Sequence, residues 1–326
     1  MQVAPTTAAA SAPEQGRRFG AAWYYCAALL VATALFFGAG LRLASSDWIA
    51  RYSGNTYLMT VGYGAGLRGA DCQVLIYGDS TAMVGIDPRI ITERTGLTAC
   101  NIAEFAGMSM VNGTMLLDGY LNHNRPPRYM VFDFAPENLL PLEQWNGVGT
   151  FEAYRFRIRE YPNARTAWFL ARHLPDTLSF IEQALWMLHN ELRQPVAPES
   201  QLLTRAEHKG YLPTPGAPLM GCAPLERKYM PDAEWIRSLK TQYGDARTTV
   251  LVDVTPVPTC ETVPVRYDAQ HPAPTDNPLE RYPIGLFNGT GRLHMTREGV
   301  ERFSAEIADQ ILADKNKGAN EGSASN

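Results

Sequence analysis

Several large function classes need features that this chain lacks. Its 29 Lys and Arg are outnumbered by 33 Asp and Glu, a formal net charge of −4, so there is no electrostatic case for a nucleic-acid partner. No glycine-rich phosphate loop is present, which removes the usual nucleotide cradle. No internal repeat stands out, which argues against a repeat architecture. Cysteine is scarce, five in all, and no two lie at the close spacing of a zinc site. Nothing in the composition calls for a metal or another cofactor. From Ala21 to Gly40 there is no charged residue, which excludes the polar face that a surface helix needs.

That uncharged stretch is long enough to cross a hydrocarbon core as a helix. Arg17 and Arg18 precede it, Trp23, Tyr24 and Tyr25 lie at one end, and Trp48 lies beyond the other, an interfacial pattern of aromatics. The expectation is a bilayer contact through residues 21–40 within a transmembrane anchor at 19–43. A cleaved signal peptide is the rival reading, since Gly38-Ala39-Gly40 offers small residues, although the stretch exceeds a typical signal core. Arg42 and Arg51 balance Arg17 and Arg18, so charge alone does not orient the span. Residues 1–18 read as a disordered tail, 44–70 as a juxtamembrane segment, and 315–326 as a second disordered tail.

Beyond the anchor the chain is long enough for one substantial core. The run Gln73-Val74-Leu75-Ile76-Tyr77 predicts a buried strand. Gly78-Asp79-Ser80-Thr81 follows, leading into a helix expected from about Thr81 to Arg94. This places a serine hydroxyl at the carboxyl end of a strand, the edge where open α/β sheets bind ligands. There a serine can act as a nucleophile beside backbone N–H groups that receive an oxyanion. Asp79 reads as a turn carboxylate that bonds nearby N–H groups. More than two hundred residues later, Leu293-His294-Met295-Thr296 leads into a helix. Thr296 is a suitable cap, and Val300, Phe303, Ile307 and Ile311 recur as one apolar stripe. His294 is therefore mounted just before a packed helix, as a general base must be.

Together these blocks resemble the SGNH, or GDSL, hydrolase family over roughly Asp71 to Asp314. The resemblance implies a three-layer α/β/α sandwich with a central parallel sheet, spanning 71–314 with an insertion at about 139–227. It makes Ser80 the nucleophile and His294 the base. It assigns the oxyanion hole to Ser80, to Gly107 after the strand Thr98–Ile102, and to Asn138 after the strand Tyr129–Phe134. A further strand, Thr249–Val254, ends in Thr255-Pro256-Val257-Pro258, as also occurs in that family. Two departures stand out. The third block is not Gly-x-Asn-Asp, and the aspartate expected three residues before the histidine is Gly291. A backbone carbonyl of the 287–292 loop is expected to hold the imidazole instead, with Asp268, Asp276 and Glu280 as the nearest carboxylates. On that reading Gly291→Asp restores the acid and raises the rate if Gly291 has ordinary backbone angles, and strains the loop if Gly291 needs a positive φ. Lack of the acid is equally compatible with a catalytically dead site.

In such a fold the strands starting near Cys72 and Cys100 are neighbours, so a Cys72–Cys100 disulfide is expected. Cys222 and Cys260 lie in proline-rich loops and form the second expected pair. An even set of paired cysteines points to an oxidising compartment; four reduced thiols in the cytosol are the alternative. Arg165 to Arg193 reads as helical with a break near Pro175, its aromatics serving as core or as a groove wall. Gln194 to Pro224 reads as a long loop. The layout is similar to membrane-anchored bacterial polysaccharide O-acetyltransferases and to the protein that loads D-alanine onto teichoic acid. It implies a single-pass protein of the bacterial inner membrane with a periplasmic domain. Such a domain works as an acyl-esterase or O-acyltransferase on a cell-envelope or exopolysaccharide glycan, alongside a membrane acyl donor or an export partner. The alternative is a noncatalytic glycan-binding or scaffold module.

Overall fold

A computed structural model describes residues 15–46, 63–105, 112–139, 150–191, 204–222, 228–229, 231–263, 274–291 and 293–324. Helix α1 (Gln15–Ala44) contains the one candidate span among them, Gly20–Ala44, with a mean hydropathy of 1.9; its most apolar stretch has no buried residue, while Ala44 at its end is buried. It is long and apolar enough to cross a membrane.

After it comes β1 (Val74–Gly78), with every residue buried. The single helix expected next is instead two, α2 (Ser80–Gly85) and α3 (Pro88–Thr95). The chain breaks there because Pro88 opens α3 and the fully buried Asp87 caps it, accepting from the Arg89 N–H at 3.0 Å. A proline fits the first turn of a helix but not its interior. Then follow β2 (Ala99–Asn101), α4 (Met115–Leu121) and β3 (Tyr129–Phe134). Helices α5 (Thr150–Glu160), α6 (Ala164–Arg172) and α7 (Leu174–Glu191) occupy the expected insertion. The α6–α7 break falls at His173, two residues before Pro175. Within the expected long loop, residues 204–207 are helical.

The chain returns through α8 (Ala233–Tyr243) to β4 (Thr249–Val254) and the short pair β5 (Val257–Pro258) and β6 (Arg281–Tyr282). It ends in α9 (Arg297–Ala324), which continues through the polar segment expected to be disordered. Thr296 accepts from the Gly299 N–H at 3.3 Å at the start of α9, and the stripe Val300, Phe303, Ile307 and Ile311 is buried.

The molecule is thus mixed α/β with a four-stranded parallel sheet in the order β2-β1-β3-β4. Phe132 and Phe134 of β3 meet Tyr243 and Trp235 of α8, while α9 packs on α2 and α3. Asp87 fastens that side: its carboxylate takes Arg89 at 2.6 Å and Arg297 at 2.9 Å. Burial alone would raise its pKa, but these hydrogen bonds outweigh burial and hold it below the ordinary value.

Both expected disulfides are present, Cys72–Cys100 with Cα atoms 5.8 Å apart and Cys222–Cys260 at 6.0 Å. The first joins the adjacent strands β1 and β2 near their starts. They fit an oxidising compartment. Cys26, within α1, is free. The first bridge closes 28 residues of chain, for which loop entropy gives about 3–4 kcal/mol. A Cys72→Ser/Cys100→Ser double variant should lose stability of about that size in urea denaturation, with the fold retained by circular dichroism.

Candidate active site

Strand order decides where a site can form. The chain leaves β1 toward β2 on one side, and leaves β3 toward β4 on the other. The loops therefore diverge at the carboxyl ends of β1 and β3 and open a crevice between them. Ser80, at the start of α2, enters from the β1 side. Asn138, in the 3-10 turn Pro136–Asn138, enters from the β3 side. The turn before α9 brings His294. These residues line one cleft of about 260 Å³, together with Asp79, Glu137, Gly291 and Leu293. Gly107 lies outside the described residues, as does Asp268. A roomier hollow of about 560 Å³ runs between β4 and α9. It is rimmed by carboxylates, including Asp276 and Glu280, and has no serine, cysteine or histidine.

Gly78 explains why the serine can sit so close to the sheet. A Cβ at Gly78 would lie 1.8 Å from the Asp133 carbonyl oxygen and 2.9 Å from the Ala82 Cβ. No side chain fits there. Asp79 then does more than the turn role expected of it. Its Oδ1 accepts from the N–H of Thr81 at 2.8 Å and from the Thr81 hydroxyl at 2.6 Å. Its Oδ2 reaches across the crevice to the Ala135 N–H at 3.0 Å and the Asn138 Nδ2 at 2.6 Å. One carboxylate thus caps the helix that begins at Ser80 and holds the amide of Asn138. An amide Nδ2 carries two hydrogens, so one remains for a ligand.

Beneath Ser80 runs a buried polar chain that sequence reasoning missed. The Thr81 and Thr255 hydroxyls are 2.6 Å apart, and Thr255 Oγ1 lies 2.9 Å from Asp133 Oδ2. Thr81 donates to Asp79 Oδ1 and Thr255 donates to Asp133 Oδ2. Burial, reinforced by the Asp79 charge, pushes the Asp133 pKa well up. Thr255 follows β4 directly, in the Thr-Pro break noted in the sequence, but nothing in the sequence indicated its partner.

His294 is oriented differently from every expectation. Its Nδ1 lies 3.2 Å from Thr290 Oγ1, and that hydroxyl donates to Asn288 Oδ1. Since Thr290 gives its hydrogen to Asn288, it accepts from Nδ1–H, which leaves Nε2 as the basic atom. Among the described residues, which leave out Arg292 and Asp268, neither a backbone carbonyl nor a carboxylate bonds the ring. Asp276 instead takes Lys240 at 2.7 Å and the Val252 N–H at 2.6 Å. Asn288 is fully buried and supports the turn, donating to the Met295 carbonyl at 2.7 Å and to Thr214 Oγ1 at 3.2 Å. The sequence Asn288-Gly289-Thr290-Gly291 is turn chemistry, the one local signal that could have pointed to this pair. The Leu219 N–H bonds the Phe287 carbonyl at 2.9 Å, so the segment ending in the Cys222–Cys260 bridge braces the histidine turn.

Gly291 is not an empty place awaiting an acid. A Cβ there would sit 2.4–2.6 Å from the ring atoms Cε1, Nδ1 and Nε2 of His294. The imidazole lies directly over the glycine. Burial lowers the His294 pKa, against a smaller upward pull from the Asp79 carboxylate, so the ring is neutral near pH 7. Among the described residues no hydrogen bond joins Ser80 to His294; they share the cleft. Such contacts often close only when substrate is bound.

The site can therefore present a hydroxyl, a neutral imidazole with Nε2 free, and an immobilised amide donor. Compared with family models, curated proteins and solved structures, the chain matches none of them.

Two outcomes follow. Gly291→Asp should displace the imidazole rather than orient it, seen as loss of the Thr290–His294 contact in a crystal structure of the variant. Asp133→Asn should change how stability depends on pH. Above the ordinary carboxylate pKa of about 3.9, the unfolded chain releases a proton that the folded Asp133 keeps, so stability falls as pH rises. Glu104 and Asp253, raised by burial to about 8 and about 7, act in the same direction. Urea titrations between pH 4 and 8 should show a shallower decline for Asp133→Asn than for the parent.

Proposed function

We propose that this chain is a serine acyl-esterase or O-acyltransferase of the SGNH type, built as a three-layer α/β/α domain. In this reading α1 is a single-pass anchor in a bacterial inner membrane and the domain is periplasmic. Its substrate is an acyl ester on a cell-envelope or exopolysaccharide glycan, supplied by or passed to a membrane or export partner. The observation that carries the reading is the convergence of Ser80, Asn138 and a neutral, tautomer-fixed His294 on one cleft at the divergence of β1 and β3. In the proposed reaction His294 Nε2 takes the Ser80 proton as Oγ attacks the ester carbonyl. The Asn138 amide meets the developing oxyanion. The imidazolium then protonates the leaving alcohol, leaving an acyl-serine. Water completes an esterase cycle and a sugar hydroxyl a transferase cycle.

Thr290 is a neutral acceptor, so it stabilises imidazolium less than a carboxylate does. A modest rate is expected. That same feature, with Ser80 and His294 not hydrogen-bonded, favours the second reading, a glycan-binding or scaffold module without turnover.

A fluorophosphonate probe separates the two. It should add to Ser80 of the full chain in detergent, detected by intact-mass and peptide mass spectrometry. Ser80→Ala should abolish labelling, and His294→Ala should reduce it by orders of magnitude. Because burial lowers the His294 pKa, the base stays unprotonated to lower pH than a free imidazole. Labelling rates should thus be flat from neutral down to about pH 6.5 and fall only below it. A folded chain that takes no label would favour the binding-module reading.

A further inference from the structure

The insertion carries an apolar surface that the proposed reaction does not use. On α7, Leu174, Leu178 and Leu185 are 46, 51 and 45 % exposed, and Trp186 is 65 % exposed. Leu174, Leu178, Ile181 and Leu185 fall at spacings of four, three and four, so they form one stripe of the helix. Asp176, Ser179 and Gln183 lie on another exposed face.

Ile181, in the middle of this stripe, meets α1. A Cβ at Gly40 would be 3.4 Å from Ile181 Cγ2, an ordinary contact distance, so the isoleucine lies directly on the glycine. The crossing is locked nearby. Ala44 is fully buried in a cluster with Tyr154, Leu170, Phe180 and Ala184. The Ala44 carbonyl accepts from Nε and Nη2 of Arg155, both at 3.3 Å. The insertion is thereby clamped to the last turns of the apolar helix.

The level of this clamp follows from length. Gly20–Ala44 is 25 residues, about 37 Å of helix, against about 30 Å of hydrocarbon. Gly40 to Ala44 then stands at the boundary between acyl chains and headgroups, and α7 crosses α1 there. The exposed leucines continue the face that touches α1, so whatever surrounds α1 at that depth also meets them. Beside the crossing, Arg42 and Arg159 rim a hollow of about 300 Å³ with Ser45 and Ser46, polar groups suited to headgroup level.

We infer that α7 lies in the surface of the lipid bilayer, its Leu174–Leu178–Leu185 stripe set among the outer acyl chains and Trp186 at the headgroups. Interfacial helices bury an apolar face in this way. The domain then sits at a fixed height and orientation on the membrane instead of swinging from a tether. The inference rests on α1 spanning the bilayer and not on the chemistry proposed for Ser80.

The test uses the full chain reconstituted into vesicles of phosphatidylethanolamine and phosphatidylglycerol. A diazirine leucine analogue is placed singly at 178, 185, 183 or 36, and adducts are identified by mass spectrometry after irradiation. Lipid adducts at 36, 178 and 185, several-fold above those at 183, are expected. Adducts at 36 with none above the 183 level at 178 and 185 would overturn the interfacial helix while leaving the span intact. Crosslinks from 178 and 185 to a second copy of the chain would overturn it in favour of self-association. Absence of lipid at 36 would remove the span and the inference together.

Discussion

Asp79 and the glycine before it hold the centre of this structure. Gly78 lets β1 pass within van der Waals limits of the β3 backbone, and Asp79 uses that proximity to reach across the crevice. Its carboxylate ties the first turn of α2 to the loop after β3 through Thr81, Ala135 and Asn138. The serine's position, the amide's orientation and the crevice width are therefore not independent. They share one acceptor, and behind it Thr81, Thr255 and Asp133 form a chain of polar contacts away from water.

The histidine arm is built by other means. Where a carboxylate would orient an imidazole and balance its charge, a threonine hydroxyl and a buried asparagine orient it without balancing it. The ring rests on Gly291, and the helix that follows is pinned by Arg297 to Asp87 at the α2–α3 corner. Both arms of the cleft are thus referred to the same part of the fold. The Cys222–Cys260 bridge secures the strand-like segment that lies against the histidine turn. Orientation and charge balance are thus separated in this turn, the first supplied by neutral hydrogen bonds and the second left out.

A different kind of constraint acts at the amino-terminal end. The apolar helix does not simply precede the domain; at its end Ala44 is buried among residues of α5, α6 and α7, with Leu41 packed against them. The apolar residues of the insertion divide accordingly. Phe180 and Leu170 are core, while Trp168 and Trp186 remain exposed. The choice between core and groove wall, open in the sequence, is thus answered residue by residue: core for the first pair, exposed surface for the second.

Much of the frame was legible in the sequence. The strands β3 and β4 have their predicted bounds, because uninterrupted β-branched and aromatic runs between turn residues admit little else. The cap at Thr296 and the stripe along α9 follow from helical periodicity; the Cys72–Cys100 pair followed from the strand order that the resemblance implies, and Cys222–Cys260 completed the even set. Ser80 and His294 were singled out by their settings and Asn138 by the family resemblance alone; the three line one cleft. What the sequence left undetermined depends on contacts between distant segments. Asp79 showed its local bonds to Thr81 but not its reach to Asn138, because that partner is fifty-nine residues away in the chain. Thr290 was passed over because a lone threonine before a histidine has no distinctive spacing. Gly291 read as a missing acid when it is a surface for the ring, a distinction of a few tenths of a nanometre that only packing can make. Local pattern decided which segments became strands, helices and turns, since periodicity and capping act within a few residues. Tertiary structure alone decided which polar groups were partnered, since burial and hydrogen bonding depend on what the fold brings alongside.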